Sequence, residues 1–196
     1  IFRGDGLRVF ERLGVFQNIE IDDKSIWIHA VSVGELLAAR PIVDRILSQT
    51  SFRPVITTTT QAGSALVKTL FKEKGHHAYF PFDLPVFHKR FLRFFKPSYV
   101  LVLETELWPN FLQVVNDHNI QLYLLNARLS KSSFRNYYKL GYFFPKGLGP
   151  ISGIFAQNKS YAQLFKRLGY EEAKIFISGN IKYDSLVNVK KADSAL

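Results

Sequence analysis

The chain has 196 residues, 47% of them hydrophobic, and a formal net charge of +10 at pH 7. A chain of this length and apolar content can bury the core of one domain, and its positive charge favours an anionic partner such as nucleic acid, acidic lipid or a phosphorylated substrate. The absence of cysteine excludes disulfides, cysteine-ligated zinc and thiol catalysis. No run approaches the roughly 20 apolar residues that a membrane-spanning helix needs.

Apolar, β-branched segments alternate with segments of helical periodicity along the chain. We predict strands over residues 26–31, 54–59, 77–81, 99–104, 121–126, 153–157 and 174–178. The predicted helices cover residues 34–48, 61–73, 85–95, 109–117, 131–146 and 159–168. Apolar strands that alternate with helices are typical of a parallel sheet covered on both faces. The pattern predicts an α/β fold with a doubly wound, Rossmann-like parallel sheet, whose ligands bind beyond the carboxyl ends of the strands.

The first predicted strand and helix are joined by Ala30-Val-Ser-Val-Gly34, a sequence close to the nucleophile elbow of hydrolases. A hydrolase would need an acid and then a histidine downstream, but the last histidine is His118. A dinucleotide-binding loop would need two glycines in addition to Gly34. Two interpretations of Glu35 remain: an acid that interacts favourably with the helix dipole, or a carboxylate that accepts a proton from a ligand.

Two acids follow the fourth predicted strand. Glu104 and Glu106 lie two residues apart, so they face the same side if the strand continues that far. Paired carboxylates are costly to bury unless they meet cations or hydroxyl groups. The alternative is a solvated strand end with a structural Trp108.

Amides and cations follow two of the later strands. Asn126 and Arg128 come at the end of the fifth predicted strand, and Asn180 and Lys182 come after the last. Since the carboxyl ends of parallel strands meet at one edge of a sheet, these side chains could lie opposite the two acids. A single arginine or lysine is more often a solvated surface charge, so neither cation is specific alone.

A run of four threonines, residues 57–60, ends the second predicted strand and precedes a helix. Its backbone N–H groups could bind a phosphate, or Thr60 could simply cap the helix. The five histidines have no spacing typical of a metal site, so we predict no metal.

Two segments, residues 87–96 and 134–144, alternate basic with aromatic side chains. In a nucleic-acid-binding protein, such rings stack on bases while the cations contact phosphates. At a membrane surface, the rings lie at headgroup level and the cations contact acidic lipids. The third possibility is that most of the rings belong to the core and the charges are merely solvated.

Six motifs occur in a fixed order: HAVSVGE (29–35), TTTT (57–60), PFDLP (81–85), ETELWPN (104–110), LNARLS (124–130) and SGNIKYD (178–184). This ordered set resembles the amino-terminal part of the 3-deoxy-D-manno-octulosonic acid (Kdo) transferases of lipopolysaccharide biosynthesis. The resemblance implies a GT-B glycosyltransferase, in which two Rossmann-like domains enclose the active site. It makes residues 1–184 the acceptor-binding domain and residues 185–196 a linker or tail. The donor-binding domain and the hydrophobic amino-terminal anchor of many members are then expected outside this chain.

The resemblance further implies an inverting transfer of Kdo from CMP-Kdo to a hydroxyl of lipid IVA, the tetraacylated, bis-phosphorylated precursor of lipid A. It assigns Glu35 as the general base, Glu106 as a second catalytic residue and Lys182 as a cation that stabilises charge on the donor. No metal or other cofactor is expected. The implied substrate-binding residues are Ser32, Gly34, Thr58, Thr59, Glu104, Asn126, Arg128 and Asn180.

Residues 85–96 and 134–146 are then expected to form a membrane-facing acceptor surface on an anionic bilayer. The side chains assigned to this surface are Lys89, Arg90, Phe91, Arg93, Phe94, Arg135 and Tyr138. The implied location is the cytoplasmic face of the inner membrane, with no nucleic-acid partner and with the oligomeric state open. The isolated chain is expected to be inactive. A nucleic-acid-binding module and a GT-B acceptor domain for another sugar nucleotide stay open as alternatives.

Overall fold

The structure is a computed structural model that describes residues 8–16, 24–71, 74–143, 149 and 151–181. Its strands, in chain order, are β1 (Ser25–His29), β2 (Arg53–Thr58), β3 (His76–Tyr79), β4 (Pro97–Leu103), β5 (Gln121–Ala127), β6 (Gly153–Ala156) and β7 (Ile175–Ile177). They form one sheet in the order β3-β2-β1-β4-β5-β6-β7, and every neighbouring pair is parallel. The predicted Rossmann-like fold is confirmed.

One short helix precedes β1, and the other helices connect successive strands. The helices are α1 (Val9–Arg12), α2 (Val33–Gln49), α3 (Gln61–Phe71), α4 (Pro85–Phe95), α5 (Pro109–Asp117), α6 (Lys131–Phe143) and α7 (Lys159–Arg167), and a short 3-10 helix covers Glu172–Lys174. Proline at the first position of α4 and of α5 suits a helix start, because that residue has no intrahelical N–H bond to lose. The predicted strand and helix positions agree with these bounds to within a few residues.

The hydrophobic core lies on both faces of the sheet, because neighbouring residues of a strand point to opposite sides. On one face, Trp27 packs with aromatic side chains of α4 and α5, including Phe91 and Phe111. On the other face, Ile28 packs with α2 and α3. This arrangement explains the continuous apolar character of the central strands, which are buried on both sides.

Helix α1 was not predicted, and it packs across the edge strand β3. The Glu11 carboxylate accepts a hydrogen bond from the backbone N–H of Tyr79 at 2.9 Å, and the guanidinium groups of Arg8 and Arg12 each lie 4.6 Å from the Tyr79 ring centroid. Arg12 also donates to the carbonyl oxygen of Thr59 at 2.6 Å. These contacts cover an otherwise open sheet edge, which protects it from pairing with other chains. A four-residue helix held by contacts distant in sequence leaves no periodic signal.

Candidate active site

The topology of the sheet brings the predicted acids together. Strands β1 and β4 are neighbours in space, although β2 and β3 lie between them in sequence. The chain therefore leaves β1 towards one side of the sheet and β4 towards the other, which opens a crevice beyond their carboxyl ends. Glu35 follows β1, and Glu104 and Glu106 follow β4, so the acids flank this crevice. The proximity is also electrostatic, because the Glu35 and Glu104 carboxylates both act to raise the pKa of Glu106.

Glu35 is held by the start of α2. Ser32 is the N-cap residue: its Oγ accepts a hydrogen bond from the Glu35 N–H at 3.2 Å and donates to Glu35 Oε1 at 2.9 Å. The other oxygen, Oε2, accepts from the backbone N–H of Val31 at 2.8 Å. The carboxylate is therefore fixed in one orientation, and Glu35 as a residue is only 8% exposed. The pair Ser32 and Glu35 is a variant of the capping box, a structural role that we did not predict.

Gly34 is exposed beside this carboxylate. A side chain added there would meet only the Ser32 oxygen, at 3.9 Å. The surface above the first turn of α2 is thus open, as an approaching substrate requires. Neither Ser32 nor Gly34 is tested as a substrate-binding residue, so both assignments stay predictions.

Glu106 has a different environment from that of Glu35. Burial is the largest effect and raises the pKa of the Glu106 carboxyl group. The Trp108 indole N–H donates to Oε2 at 2.8 Å and lowers the pKa, whereas the charges of Glu35 and Glu104 raise it further. Glu106 therefore binds a proton more readily than an ordinary glutamate. Carboxylates in unequal environments can take different roles in one reaction.

The alternation argument for Glu104 and Glu106 was wrong in its premise, because β4 ends at Leu103 and Glu104 has a left-handed φ of 56°. The turn nevertheless keeps Glu104 near the crevice, where it pairs with Arg128 at 3.4 Å. The predicted proximity of a cation to the strand-end acids is thereby confirmed for Arg128. Thr105 joins the loop after β4 to the loop after β5, since its hydroxyl donates to the Arg128 carbonyl oxygen.

Asn126 is buried at the end of β5 and has a left-handed φ of 54°. Its Oδ1 accepts a hydrogen bond from the backbone N–H of Ile181 at 3.2 Å. Asn126 thus connects β5 to the segment that contains Asn180, which indicates a positioning role in the described structure. Lys182, the third predicted catalytic residue, lies outside the described residues.

The threonine run divides between core and cap. Thr58, predicted to bind substrate, is fully buried, and its Oγ1 lies 2.9 Å from His77 Nε2. The prediction for Thr58 was wrong, because the side chain at this strand position points into the packing between β2 and α3. Thr59 is partly exposed and donates to the Val31 carbonyl oxygen at 3.3 Å. Thr60 accepts from the Gly63 N–H at 3.1 Å, which confirms the capping interpretation.

The basic side chains of α4 lie on two sides of the helix. Lys89 and Arg93 line an open cleft of about 530 Å³ at the carboxyl end of α4. Arg90 is exposed but is directed to the other side, where it donates to the Leu13 carbonyl oxygen at 3.1 Å. The other residues that line the cleft are Leu92, Lys96, Pro97, His118 and Ile120.

Two rings assigned to the membrane surface belong to the packing of the core instead. Phe91 is fully buried, and its ring stacks on Trp27 with a centroid distance of 4.0 Å. Phe94 is partly buried and packs on Phe16 at 5.0 Å. The surface prediction was wrong for Phe91, because helical periodicity turns this position towards the sheet, and it stays a prediction for the partly buried Phe94.

Helix α6 carries the second predicted surface segment. Arg135 is exposed, and Tyr138 is 63% exposed with its ring 5.7 Å from that of Phe134. The end of the segment, residues 144–146, lies outside the described residues. Exposure at these two positions is compatible with a membrane surface but does not test it.

Sequence reasoning missed two residues that organise this edge of the sheet. Asp83, in the PFDLP motif, accepts hydrogen bonds from the backbone N–H groups of Asn110 and Phe111, at 3.3 and 2.8 Å, and contacts His88 at 3.1 Å. His29 is fully buried and stacks on Phe80 at 3.9 Å. Burial lowers the pKa of His29 to about 3, so the ring is neutral. Among the residues that the structure describes, no group of three or more His, Asp or Glu is arranged to hold a metal ion.

Solved structures of similar fold include two UDP-N-acetylglucosamine 2-epimerases. The enzyme from Neisseria meningitidis is 16% identical with a TM-score of 0.60, and the match covers 87% of this chain and 50% of that one. The enzyme from Rickettsia bellii is 13% identical with a TM-score of 0.61, covering 86% and 48%. At this identity the similarity concerns the fold alone.

Relatives in sequence are more informative. The 3-deoxy-D-manno-octulosonic acid transferase of Haemophilus influenzae is 38% identical over 192 residues, which are 95% of this chain and 45% of that protein. The transferase of the same name from Rickettsia prowazekii is 33% identical over 85% of this chain and 36% of its own length. The chain thus spans less than half the length of these curated relatives. The family model described as 3-deoxy-D-manno-octulosonic-acid transferase (kdotransferase) matches residues 7–185, so the chain belongs to the Kdo transferase family.

Proposed function

We propose that this chain is the acceptor-binding domain of an inverting glycosyltransferase that transfers Kdo from CMP-Kdo to a hydroxyl of lipid IVA in lipopolysaccharide biosynthesis. One observation carries the proposal: the oriented Glu35 carboxylate and the protonatable Glu106 flank the crevice between β1 and β4. The names of the relatives support the choice of Kdo as the transferred sugar. Because those relatives are more than twice as long as the matched region, we expect the donor site on a second domain and the isolated chain to be inactive.

Glu35 is the proposed general base. A hydroxyl of the acceptor that enters the crevice would give its proton to this carboxylate while its oxygen attacks the anomeric carbon of Kdo. The bond from that carbon to the CMP phosphate breaks on the opposite face, the electron pair leaves with the phosphate, and the configuration inverts. Hydrogen bonds from Val31 and Ser32 support this role, because they hold the base in place before the substrate arrives.

The charge that develops on the leaving phosphate needs a cation. We assign this role to Lys182 on the resemblance of its motif, so that no metal ion is required. Glu106 is the proposed second catalytic residue; its raised pKa suits a group that donates a hydrogen bond to a sugar oxygen in its neutral form. Glu104, paired with Arg128, is expected to hold together the loops that follow β4 and β5.

The role of Glu35 can be separated from its capping function by comparing two variants of the full-length enzyme. Glu35→Gln should lower kcat for Kdo transfer by at least about 100-fold, because the proton acceptor is lost while much of the cap is kept. Ser32→Ala should reduce stability by about 1 kcal/mol and lower kcat by no more than about tenfold, because the Val31 N–H still holds Oε2 of the carboxylate. Equal activity losses in the two variants would show that Glu35 acts only through the helix cap.

We further propose that the protein binds peripherally to the cytoplasmic face of the inner membrane. Within the described segments, no helix has the length and apolar character that crossing a bilayer requires. At the carboxyl end of α4, the basic cleft offers Lys89 and Arg93 to lipid phosphates. At the amino end of the same helix, beside the crevice, the apolar side chains of Phe82, Leu84 and Val86 are about half exposed. Such a combination of cations and apolar groups suits an anionic, acylated surface.

Vesicle flotation tests this surface. The double variant Lys89→Glu and Arg93→Glu should abolish binding to vesicles that contain anionic lipid and should not alter binding to neutral vesicles. Lys68→Glu on α3 is the matched control, since this exposed lysine lies on the opposite face of the sheet and should leave binding unchanged. Equal binding of wild type to neutral and anionic vesicles, or binding to neither, would contradict the electrostatic mechanism.

A further inference from the structure

A cleft of about 500 Å³ lies directly beside Glu106. It is formed where α5 begins after β4 and where the first turns of α6 pass over that start. Glu106, Trp108 and Asn110 line one wall, and Ser133, Asn136 and Tyr137 line the other. The volume is within the range of small-molecule sites in proteins, which are about 300–1,000 Å³.

The charges of the lining select the kind of ligand. Among the described residues that line the cleft, the charged side chains are Asp83 and Glu106, both acidic. Asp83 is occupied by hydrogen bonds from the backbone of α5, so Glu106 is the acid that faces a ligand. The described lining residues include no lysine or arginine, so a phosphate or carboxylate group would lose its hydration without a cation to balance its charge. The cleft therefore suits an uncharged ligand.

Trp108 supplies an aromatic surface for such a ligand. Its side chain is 43% exposed, although its indole N–H is held by Glu106 Oε2 at 2.8 Å. The hydrogen bond fixes the ring in position, so little side-chain entropy is lost when a ligand packs on it. A rigid, half-exposed indole beside hydrogen-bonding groups is suited to the apolar face of a sugar ring.

The opposite wall supplies polar groups at helical spacing. Ser133, Asn136 and Tyr137 are three and four residues apart and so lie on one face of α6. Tyr137 is directed inwards and donates to the Thr105 carbonyl oxygen at 3.3 Å. The Asn136 side chain is exposed and makes no hydrogen bond to other side chains or loops among the described residues, so its amide group can both donate to and accept from a ligand.

We propose that this cleft binds an uncharged, hydroxyl-bearing sugar ring of the acceptor, stacked on Trp108, and that Asn136 determines specificity by hydrogen bonding to one of its polar substituents. The inference rests on the proposed function, because it makes the ring a neighbour of the hydroxyl that Glu35 deprotonates. The phosphates of the acceptor are then bound elsewhere.

Intrinsic fluorescence gives a direct test, because the chain has two tryptophans and Trp27 is fully buried. Titration of the 196-residue chain with N-acetylglucosamine should change the Trp108 emission and saturate at millimolar concentrations, as expected for a ligand of this size. Inorganic phosphate should have no effect. Asn136→Ala should weaken sugar binding about tenfold through the loss of its hydrogen bonds. The control Gln163→Ala removes an exposed amide from α7 and should change nothing.

Kinetics of the full-length enzyme separate this inference from the proposed function. Asn136→Ala should raise the KM for the lipid acceptor about tenfold with kcat nearly unchanged, whereas Glu35→Gln lowers kcat. If the wild type transfers no Kdo, the proposed function fails, and the fluorescence result still decides whether the cleft binds sugar. An unchanged KM in an active Asn136→Ala enzyme, no emission change with the sugar, or an equal change with phosphate would overturn the inference.

Discussion

Asp83 is expected to stabilise the fold by joining the starts of α4 and α5. Its Oδ1 accepts from the Phe111 N–H at 2.8 Å and contacts His88 at 3.1 Å, and its Oδ2 accepts from the Asn110 N–H at 3.3 Å. Removing a cap of this kind costs about 1–2 kcal/mol, and leaving the buried His88 without its partner adds about 1–3 kcal/mol. Because such terms are not additive, we expect Asp83→Ala to lower the free energy of unfolding by about 2–4 kcal/mol.

The effect should depend on pH with a definite sign. Burial acts to raise the pKa of Asp83, but hydrogen bonds from His88 and from the backbone of Phe111 and Asn110 outweigh it, and the pKa lies below the ordinary value of 3.8. A carboxyl group with a lowered folded pKa stabilises the protein fully above its ordinary pKa and loses that contribution as the pH falls through the folded value. The stability difference between wild type and Asp83→Asn should therefore shrink from about pH 5 downwards.

Urea unfolding measures both effects. Asp83→Ala is compared with wild type at pH 7 for the loss of stability, and Asp83→Asn is compared with wild type at pH 7 and at pH 3 for the pH dependence. Asp117→Asn is the matched control. Asp117 is an exposed acid at the carboxyl end of α5, the helix whose start Asp83 caps, and its side chain bonds only Gln113 among the described residues. This control should change stability by less than about 0.5 kcal/mol. The reasoning is refuted if Asp83→Asn and Asp117→Asn are equally stable at pH 7, or if the effect of Asp83→Asn is the same at both pH values.

Three further predictions concern packing, titration and the sheet edge. Gly63→Ala should cost about 1–3 kcal/mol in urea unfolding, because the new Cβ would lie 2.9 Å from the Thr58 Cβ; a neutral or stabilising result would contradict the close packing. His29, whose burial lowers its pKa to about 3, takes up a proton only on unfolding, so stability should fall by roughly 2 kcal/mol between pH 6.5 and pH 5, and His29→Gln should flatten that slope. Glu11→Ala should speed amide hydrogen exchange at Tyr79, whose N–H donates a hydrogen bond to the Glu11 carboxylate. Unchanged protection would show that α1 does not stabilise the sheet edge at β3.

The fold could be predicted because its signals are local and periodic. Each central strand is apolar on both faces, and Pro85 and Pro109 mark the first residues of α4 and α5. The general behaviour of parallel sheets also places the carboxyl ends of the strands, and with them Glu35 and Glu106, at one edge. The order of the strands was not predicted and comes from the structure. The predicted end of β4 differed from the observed one because Glu104 has a left-handed backbone conformation, which ends the strand. Such a conformation at a residue other than glycine has no clear sequence signal.

The misses share a different cause, since they depend on contacts between residues distant in sequence. Asp83 caps α5 across 27 residues, and the Phe91 ring meets Trp27 from a segment that also reads as a basic surface. Thr58 has the composition of a binding turn, yet its strand position directs it into the core. In each case the side chain is chemically able to bind a ligand, and only its direction in the fold decides otherwise.

Glu35 shows why the two interpretations of its position could not be separated from the sequence. A carboxylate in the first turn of a helix interacts favourably with the helix dipole, and a carboxylate beyond the end of β1 is a candidate base. The structure makes these roles compatible, because the bonds from Val31 and Ser32 fix the same carboxylate that flanks the crevice. The hydrogen bonds that cap α2 therefore also restrain the carboxylate of the proposed base, and no additional residue is needed to orient it. Substitution at Glu35 would disturb the cap as well as the proposed base, so its effect on catalysis must be compared with that of Ser32→Ala, which weakens the cap but keeps the Glu35 carboxylate and its bond from Val31.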